Sequence, residues 1–183
     1  MSTPKFVTSD LHFRHKKIIE YCNRPWSTVE EMNEGLIQRW NSVVKKDDSI
    51  ILVGDAAMVS SKHGRGEATD MLLRLNGKKT LVRGNHDSHL EIFADSGFNV
   101  VDYIFVNNIL IIHHPPQDSK KTCDLVNRLK PGLIVHGHQH SDLGGSRLFN
   151  VCVDIHNWTP VSWSVVEQKF ELNKNEPQLF EEA

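Results

Sequence analysis

Short unbroken apolar runs alternate along the chain with stretches in which apolar residues recur every three or four positions. The runs at 5–8, 49–53, 79–82, 109–112 and 133–135 have the length of buried strands. Val29, Met32, Leu36, Ile37, Trp40, Val43 and Val44 form a helical stripe, ended by Lys45-Lys46-Asp47-Asp48. Ser27, with Glu30 three residues on, predicts its capping box. Ala68, Met71, Leu72 and Leu75 predict a second amphipathic helix that stops near Asn76-Gly77, and Cys123, Val126 and Leu129 a third that ends before Pro131. Residues 98–106 and 109–112 read as neighbouring strands joined by a hairpin turn at Asn107-Asn108. Residues 147–153 and 161–170 read as late strands, and the polar tail 173–183 as frayed. Alternating β and α, followed by a mostly β C-terminal third, predicts an α/β sandwich with mixed sheets. No internal repeat, low-complexity tract or linker interrupts it, so residues 1–183 are expected to form one domain.

Composition narrows the function classes. The chain has 183 residues, 39% of them apolar, which suffices for a full core. With 21 basic against 23 acidic side chains, the net charge of -2 argues against a wrapper of duplex DNA or a membrane-surface binder. A nucleotide substrate stays open, because bound metals would add local positive charge. Apolar runs such as Ile109-Leu110-Ile111-Ile112 are far too short to span a bilayer, and the first residues lack the apolar core of a signal peptide. Cys22, Cys123 and Cys152 are few and far apart, so they are read as reduced, buried packing residues of a cytoplasmic protein.

Histidine is the departure from the ordinary, with 11 residues scattered along the chain. Five polar clusters each follow an expected strand: Asp10 and His12; Gly54-Asp55; Gly84-Asn85-His86-Asp87; His113-His114; and Gly137-His138-Gln139-His140. In layered α/β folds, sites form beyond the carboxyl ends of strands, so these clusters can converge on one rim. Carboxylate, amide and imidazole donors suit divalent ions such as manganese, iron or zinc, and the lack of cysteine disfavours a closed structural zinc site. Seven plausible ligands exceed one tetrahedral ion and suit a pair sharing a carboxylate. Such a pair, about 3.5–4 Å apart, can clamp both sides of an in-line displacement at phosphorus. Glycines before Asp55, Asn85 and His138 permit close backbone approach.

The order Asp-x-His, Gly-Asp, Gly-Asn-His-Asp, His, Gly-His-x-His resembles the calcineurin-like metallophosphoesterase superfamily across Asp10 to His140. The segments His12-Phe13-Arg14-His15 and Tyr21-Cys22-Asn23-Arg24-Pro25-Trp26 further resemble small bacterial and phage-encoded members. The resemblance implies a four-layer αββα sandwich of two mixed β-sheets flanked by helices. It implies two divalent metal ions, manganese first, with iron, zinc, nickel or cobalt as alternatives. Asp10, His12 and His140 would hold one ion, Asn85, His113 and His138 the other, and Asp55 would bridge them. A metal-bridging hydroxide would attack phosphorus. His86 would stabilise charge or protonate the leaving oxygen, with Asp87 or Asp10 orienting its ring. His113 is preferred over His114 as ligand, because relatives show His, an aromatic residue and then Pro. Arg14 departs from the glycine common in this group and is open to contact a substrate phosphate.

The expected activity is phosphate-ester hydrolysis, with phosphodiesters favoured. The substrate would be a small ester, including a nucleotide or nucleic-acid end. The alternative is an inactive metal-binding scaffold for a protein partner, disfavoured because every expected ligand type and His86 are present. His15, Lys16, Lys17 and Arg24 are open to line a phosphate pocket, although the lysines also fit a solvated helix face. His63 and Arg65, read in a loop at 60–66, are open to reach a substrate. Trp26, Trp40, Trp158 and Trp163 are read as packing residues, with Trp26 the one to consider for base stacking. His89 and His156 are read as structural or surface residues.

Overall fold

The computed structural model describes residues 3–59, 61–141 and 145–174. Strands β1 (Phe6–Thr8), β2 (Ser49–Leu52), β3 (Lys78–Val82), β4 (Asn99–Val101) and β9 (Val161–Ser162) form one sheet in the order β4-β3-β2-β1-β9. All pairs in it are parallel except β1 with β9. Strands β5 (Ile104–Val106), β6 (Ile109–Ile111), β7 (Leu133–His136) and β8 (Leu148–Asn150) form the second, in the order β5-β6-β7-β8, where only β5 runs antiparallel to its neighbour. The helices are α1 (Lys16–Tyr21), α2 (Val29–Val43), α3 (Lys62–Leu73), α4 (Leu90–Asp95), α5 (Lys120–Leu129) and α6 (Trp163–Lys174).

Strand alternation builds the layers, because successive side chains leave opposite faces. Val7, Ile51, Val53 and Val82 of the first sheet meet Ile109, Ile111, Leu133 and Val135 of the second in a core between the sheets. The intervening residues Ile50, Leu52 and Leu81 face outward, onto Leu36 and Trp40 of α2, Leu72 of α3 and Phe93 of α4. On the other side Leu110, Ile112 and Ile134 lie under Leu125 of α5. The result is the expected α/β sandwich, with two mixed sheets flanked by helices.

The two sheets are joined at the carboxyl ends of their strands. Ser9, just past β1, pairs in parallel with Cys152, two residues past β8. Its N–H donates to the Val151 carbonyl at 3.0 Å, and its own carbonyl accepts from Val153 at 3.2 Å. This seam brings the loops after β1, β2 and β3 alongside those after β6 and β7.

Several sequence-based expectations are corrected. The cap of α2 is Thr28, not Ser27, and its box partner is Glu31, not Glu30. The Thr28 hydroxyl accepts from the Glu31 N–H at 3.2 Å, and the Glu31 carboxylate accepts from the backbone N–H groups of Ser27 and Thr28. The 98–106 run is two strands in different sheets, with the chain crossing at Asp102 and Tyr103. Residues 161–170 hold a two-residue strand and then the start of α6. Trp163, Val166 and Phe170 carry helical spacing and pack into the inter-sheet core, which overrides the strand-like alternation at 161, 163 and 165. The run at 147–153 ends as a strand at Asn150 and continues into a short 3-10 turn, Val153–Ile155. Asn173 and Lys174 belong to α6, while 175–183 lie outside the described residues. Residues 62–66 open α3 rather than a loop. The three cysteines are free, but Cys123 is exposed and Cys22 half-buried, so only Cys152 is a buried packing residue. No helix among the described residues is long and apolar enough to cross a membrane.

The capping assignment is testable by thermal or chemical denaturation. Thr28→Ala is expected to lower stability by about 1 kcal/mol, and Ser27→Ala to stay within about 0.5 kcal/mol of the parent protein.

Candidate metal centre

Every cluster expected at a strand end arrives at the seam, and the backbone makes sharp turns to deliver it. Asp10, His12, Asp55 and His138 all have left-handed backbone, with φ of 60, 51, 55 and 68°. That conformation costs a non-glycine residue about 1–2 kcal/mol, and such strain concentrates at functional sites. Ladder-like hydrogen bonds hold the turns: the Asp10 N–H donates to the Gly54 carbonyl and the His12 N–H to the Asp55 carbonyl, each at 3.0 Å. Gly54 (φ 83°) and Gly84 are required for the approach. A Cβ on Gly54 would strike the His113 ring, and one on Gly84 would strike the Asp55 carboxylate.

The donor atoms gather in overlapping groups. Those of Asp10, His12 and His140 lie within 4.8 Å of one another, as do those of Asp10, Asp55 and His113, and those of His113, His114 and His138. The His113 Nδ1–H donates to the Val53 carbonyl at 2.8 Å. Its Nε2 therefore faces the Asn85 Oδ1 at 3.1 Å and an Asp55 oxygen at 3.4 Å. His114 turns instead onto His138, with ring centroids 4.4 Å apart. His12 is 2% exposed, and neither of its ring nitrogens has a hydrogen-bond partner. Its Nε2 lies 3.6 Å from Asp55 and 3.8 Å from Asp10. A buried imidazole without a partner, aimed between two buried carboxylates, fits a divalent cation.

Charge is arranged to match. Burial opposes ionisation of Asp55, but the His113 hydrogen bond and the nearby His113 and His12 rings hold its carboxyl well below the usual carboxylate range. Burial pushes Asp10 up and His12 well down. Against their own burial, His113 is raised to about 9 by Asp55 and Asp10, and His140 to about 10 by its hydrogen bond to Asp154. Burial, with His113 and His138 beside it, lowers His114 to about 4.

Asp154 and Arg24 are the supports that sequence reading missed. The Asp154 carboxylate accepts from His140 Nδ1 at 2.6 Å, which turns Nε2 toward Asp10, 4.0 Å away. Arg24 grips Asp154 with Nε at 2.8 Å and Nη2 at 2.9 Å, and donates to the carbonyls of Asp10 and Leu11, each at 2.8 Å. It is 4% exposed, so it braces the loops carrying the expected ligands and does not line a phosphate pocket. Its place in the Asn-Arg-Pro segment was visible, but its partner, 130 residues away, was not.

Other expected residues take different roles. The Asp87 carboxylate accepts from the N–H groups of Gly84, Asp55 and Ala56 at 2.8–3.0 Å, so it ties two ligand loops together rather than orienting the His86 ring. Arg14 also has left-handed backbone, φ 67°, which accounts for the glycine common there. Its guanidinium is engaged by Glu67 and the Met58 carbonyl, not poised for substrate. His63 and Arg65 are exposed on α3, paired with Glu67 and Glu91 at 3.3 Å each. Trp26 packs edge-on against Trp158, with centroids 5.5 Å apart. A cavity of about 670 Å³ lies at the opposite, amino-terminal ends of the strands, lined by Ser49, Lys78 and Trp163 among others, and contains none of the expected ligands.

The geometry agrees with comparisons to known proteins. The calcineurin-like phosphoesterase family matches residues 4–108. The chain belongs to that family. An uncharacterized protein of Methanocaldococcus jannaschii is 37% identical over 177 residues, covering 92% of each chain. The gene 66 protein of Mycobacterium phage L5 is 30% identical over 167 residues, covering 78% of this chain and 80% of its own. A crystal structure of a protein of unknown function from Aquifex aeolicus shares the fold with a TM-score of 0.73 at 22% identity, over 89% of this chain and 97% of that one. As a calcineurin-like phosphoesterase, the chain carries the Asp/His groups able to hold metal that the family chemistry requires.

Two outcomes are expected for metal binding, both read by calorimetric titration with Mn²⁺. Asp154→Asn should weaken binding by about ten- to a hundredfold, the usual cost of losing the carboxylate behind a histidine ligand. In the metal-free protein His113 and His140 hold protons at pH 7, since their values are raised to about 9 and about 10. Metal and proton compete for the same nitrogens, so binding should release protons at pH 7 and tighten as pH rises toward 9.

Proposed function

We propose that this calcineurin-like phosphoesterase hydrolyses phosphodiesters with two divalent cations, manganese first among them. Asp10, His12 and His140 would hold one ion, Asn85, His113 and His138 would hold the other, and Asp55 would be shared by both. The observation that carries this reading is His12, a buried imidazole with two unpartnered nitrogens between two carboxylates. Bound there, such a pair supplies Lewis acidity toward phosphoryl oxygens and a nucleophile at neutral pH.

The chain's own residues do the rest. Asp154 and the Val53 carbonyl fix the His140 and His113 rings, so each presents Nε2 inward. His86 is anchored through its backbone N–H to Asp55 Oδ1 at 3.0 Å, which leaves its ring to the substrate. That side chain is 38% exposed at the mouth of the site, 3.9 Å from Asp55 and 5.4 Å from the His12 ring centroid. In this reading it delivers a proton to the leaving oxygen. Asn85 is exposed and His138 and His140 are half-buried, and so open a rim supports diesters over monoesters alone. A small nucleotide ester or nucleic-acid end is the substrate class this reading favours.

The deciding experiment is the initial rate of bis(p-nitrophenyl) phosphate hydrolysis by metal-stripped protein before and after Mn²⁺ is resupplied. Turnover is expected only with metal. His86→Ala should lower kcat by roughly 10²–10⁴-fold while Mn²⁺ affinity, measured by calorimetry, is retained. Hydrolysis confined to monoesters would overturn the diester assignment. Tight metal binding without turnover of any ester would favour the scaffold reading.

A further inference from the structure

The loop after β1 leads directly into α1, and that helix presents an aromatic group with no structural employment. Tyr21, its last residue, is 68% exposed. Ile18 is the one residue of the helix that is buried, so packing accounts for α1 without the tyrosine. The Tyr21 ring stands edge-on to His15, centroids 6.4 Å apart. His15 in turn lies 5.4 Å from the ring of His12 and 6.4 Å from that of His86. A row of rings therefore runs from the centre to the surface.

His15 is not used by the fold either. It occupies the cap position of α1 yet makes no capping hydrogen bond through its side chain. Its Nδ1 is buried without a partner. Trp26, the aromatic residue of the neighbouring segment, is committed to Trp158 and to the close approach of Gly35. Tyr21 thus offers a free face beside the site. Lys16 and Lys17, exposed on the same helix, add positive charge for an anionic ligand.

Resting on the diesterase reading above, we infer that Tyr21 and His15 form a nucleoside subsite, in which the base of a nucleotide ester stacks on Tyr21 while its phosphate lies at the metal centre under His86. The His15 ring lies 6.4 Å from the rings of both His86 and Tyr21, which keeps Tyr21 within reach of a nucleoside whose phosphate lies under His86. Stacking on an aromatic ring tolerates any base, because every base has a π-face, so the subsite selects nucleotides as a class rather than a sequence.

The test compares two diesters with one leaving group: thymidine 5′-(p-nitrophenyl phosphate) and methyl p-nitrophenyl phosphate. The Mn²⁺-supplemented protein is expected to show a kcat/KM ratio favouring the thymidine ester by about tenfold, the scale of one base stack. Tyr21→Ala should abolish that preference through KM, and Tyr21→Phe should keep it. Calorimetric binding of thymidine 5′-phosphate against inorganic phosphate gives the same comparison without turnover. A wild-type ratio near one in both measurements, or a ratio that Tyr21→Ala leaves intact, overturns the subsite. Failure to hydrolyse either ester overturns the diesterase reading instead, and the binding ratio then decides the subsite by itself.

Discussion

The buried guanidinium of Arg24 is the interaction on which the centre depends. A charge taken from water is costly unless it is paired and fully hydrogen-bonded. Arg24 meets both conditions through Asp154 and the carbonyls of Asp10 and Leu11. Each partner belongs to the machinery: Asp10 is an expected ligand, Leu11 lies between two of them, and Asp154 orients His140. Against its own burial, Asp154 is held at about 2 by His140 and Arg24, so it stays charged wherever the protein is folded near neutral pH. Removing the arginine would leave a buried carboxylate with one partner fewer and two carbonyls unsatisfied.

The rest of the centre follows the same logic of fixing each donor from behind. His113 is tied by Nδ1 to the Val53 carbonyl, and His140 by Nδ1 to Asp154. Asp87 spends its carboxylate on three backbone N–H groups, joining the loop after β2 to the loop after β3. Both ring nitrogens of His12 are left unsatisfied at the centre. The left-handed turns at four expected ligands are sustained because the seam between the sheets over-determines them.

Only the innermost shell is so constrained. His86 is anchored through its backbone and free at its ring, and His15 and Tyr21 continue the row outward with no packing task. The side chains thus grade from rigidly held at Asp55 and His113 to exposed at Tyr21.

By itself the sequence determined which side-chain types gather after the strands and which runs are buried. The five clusters after strands located Asp10, His12, Asp55, His113, His138 and His140 but not Asp154, and the unbroken apolar runs at 49–53, 109–112 and 133–135 marked buried strands without telling which faces would meet. Both signals are local, since ligand type and apolar runs are read within a few residues. The tertiary structure decided what depends on contact at a distance. It paired Arg24 with Asp154, moved Asp87 from the His86 ring to three backbone amides, and engaged Arg14 with Glu67. It divided the 98–106 run between two sheets and made a helix of 163–174, where apolar spacing fitted either period until the inter-sheet core selected one. It also left Tyr21 exposed beside the centre while packing half-buried Trp26 against Trp158, a choice that turns on which ring finds a partner across the fold.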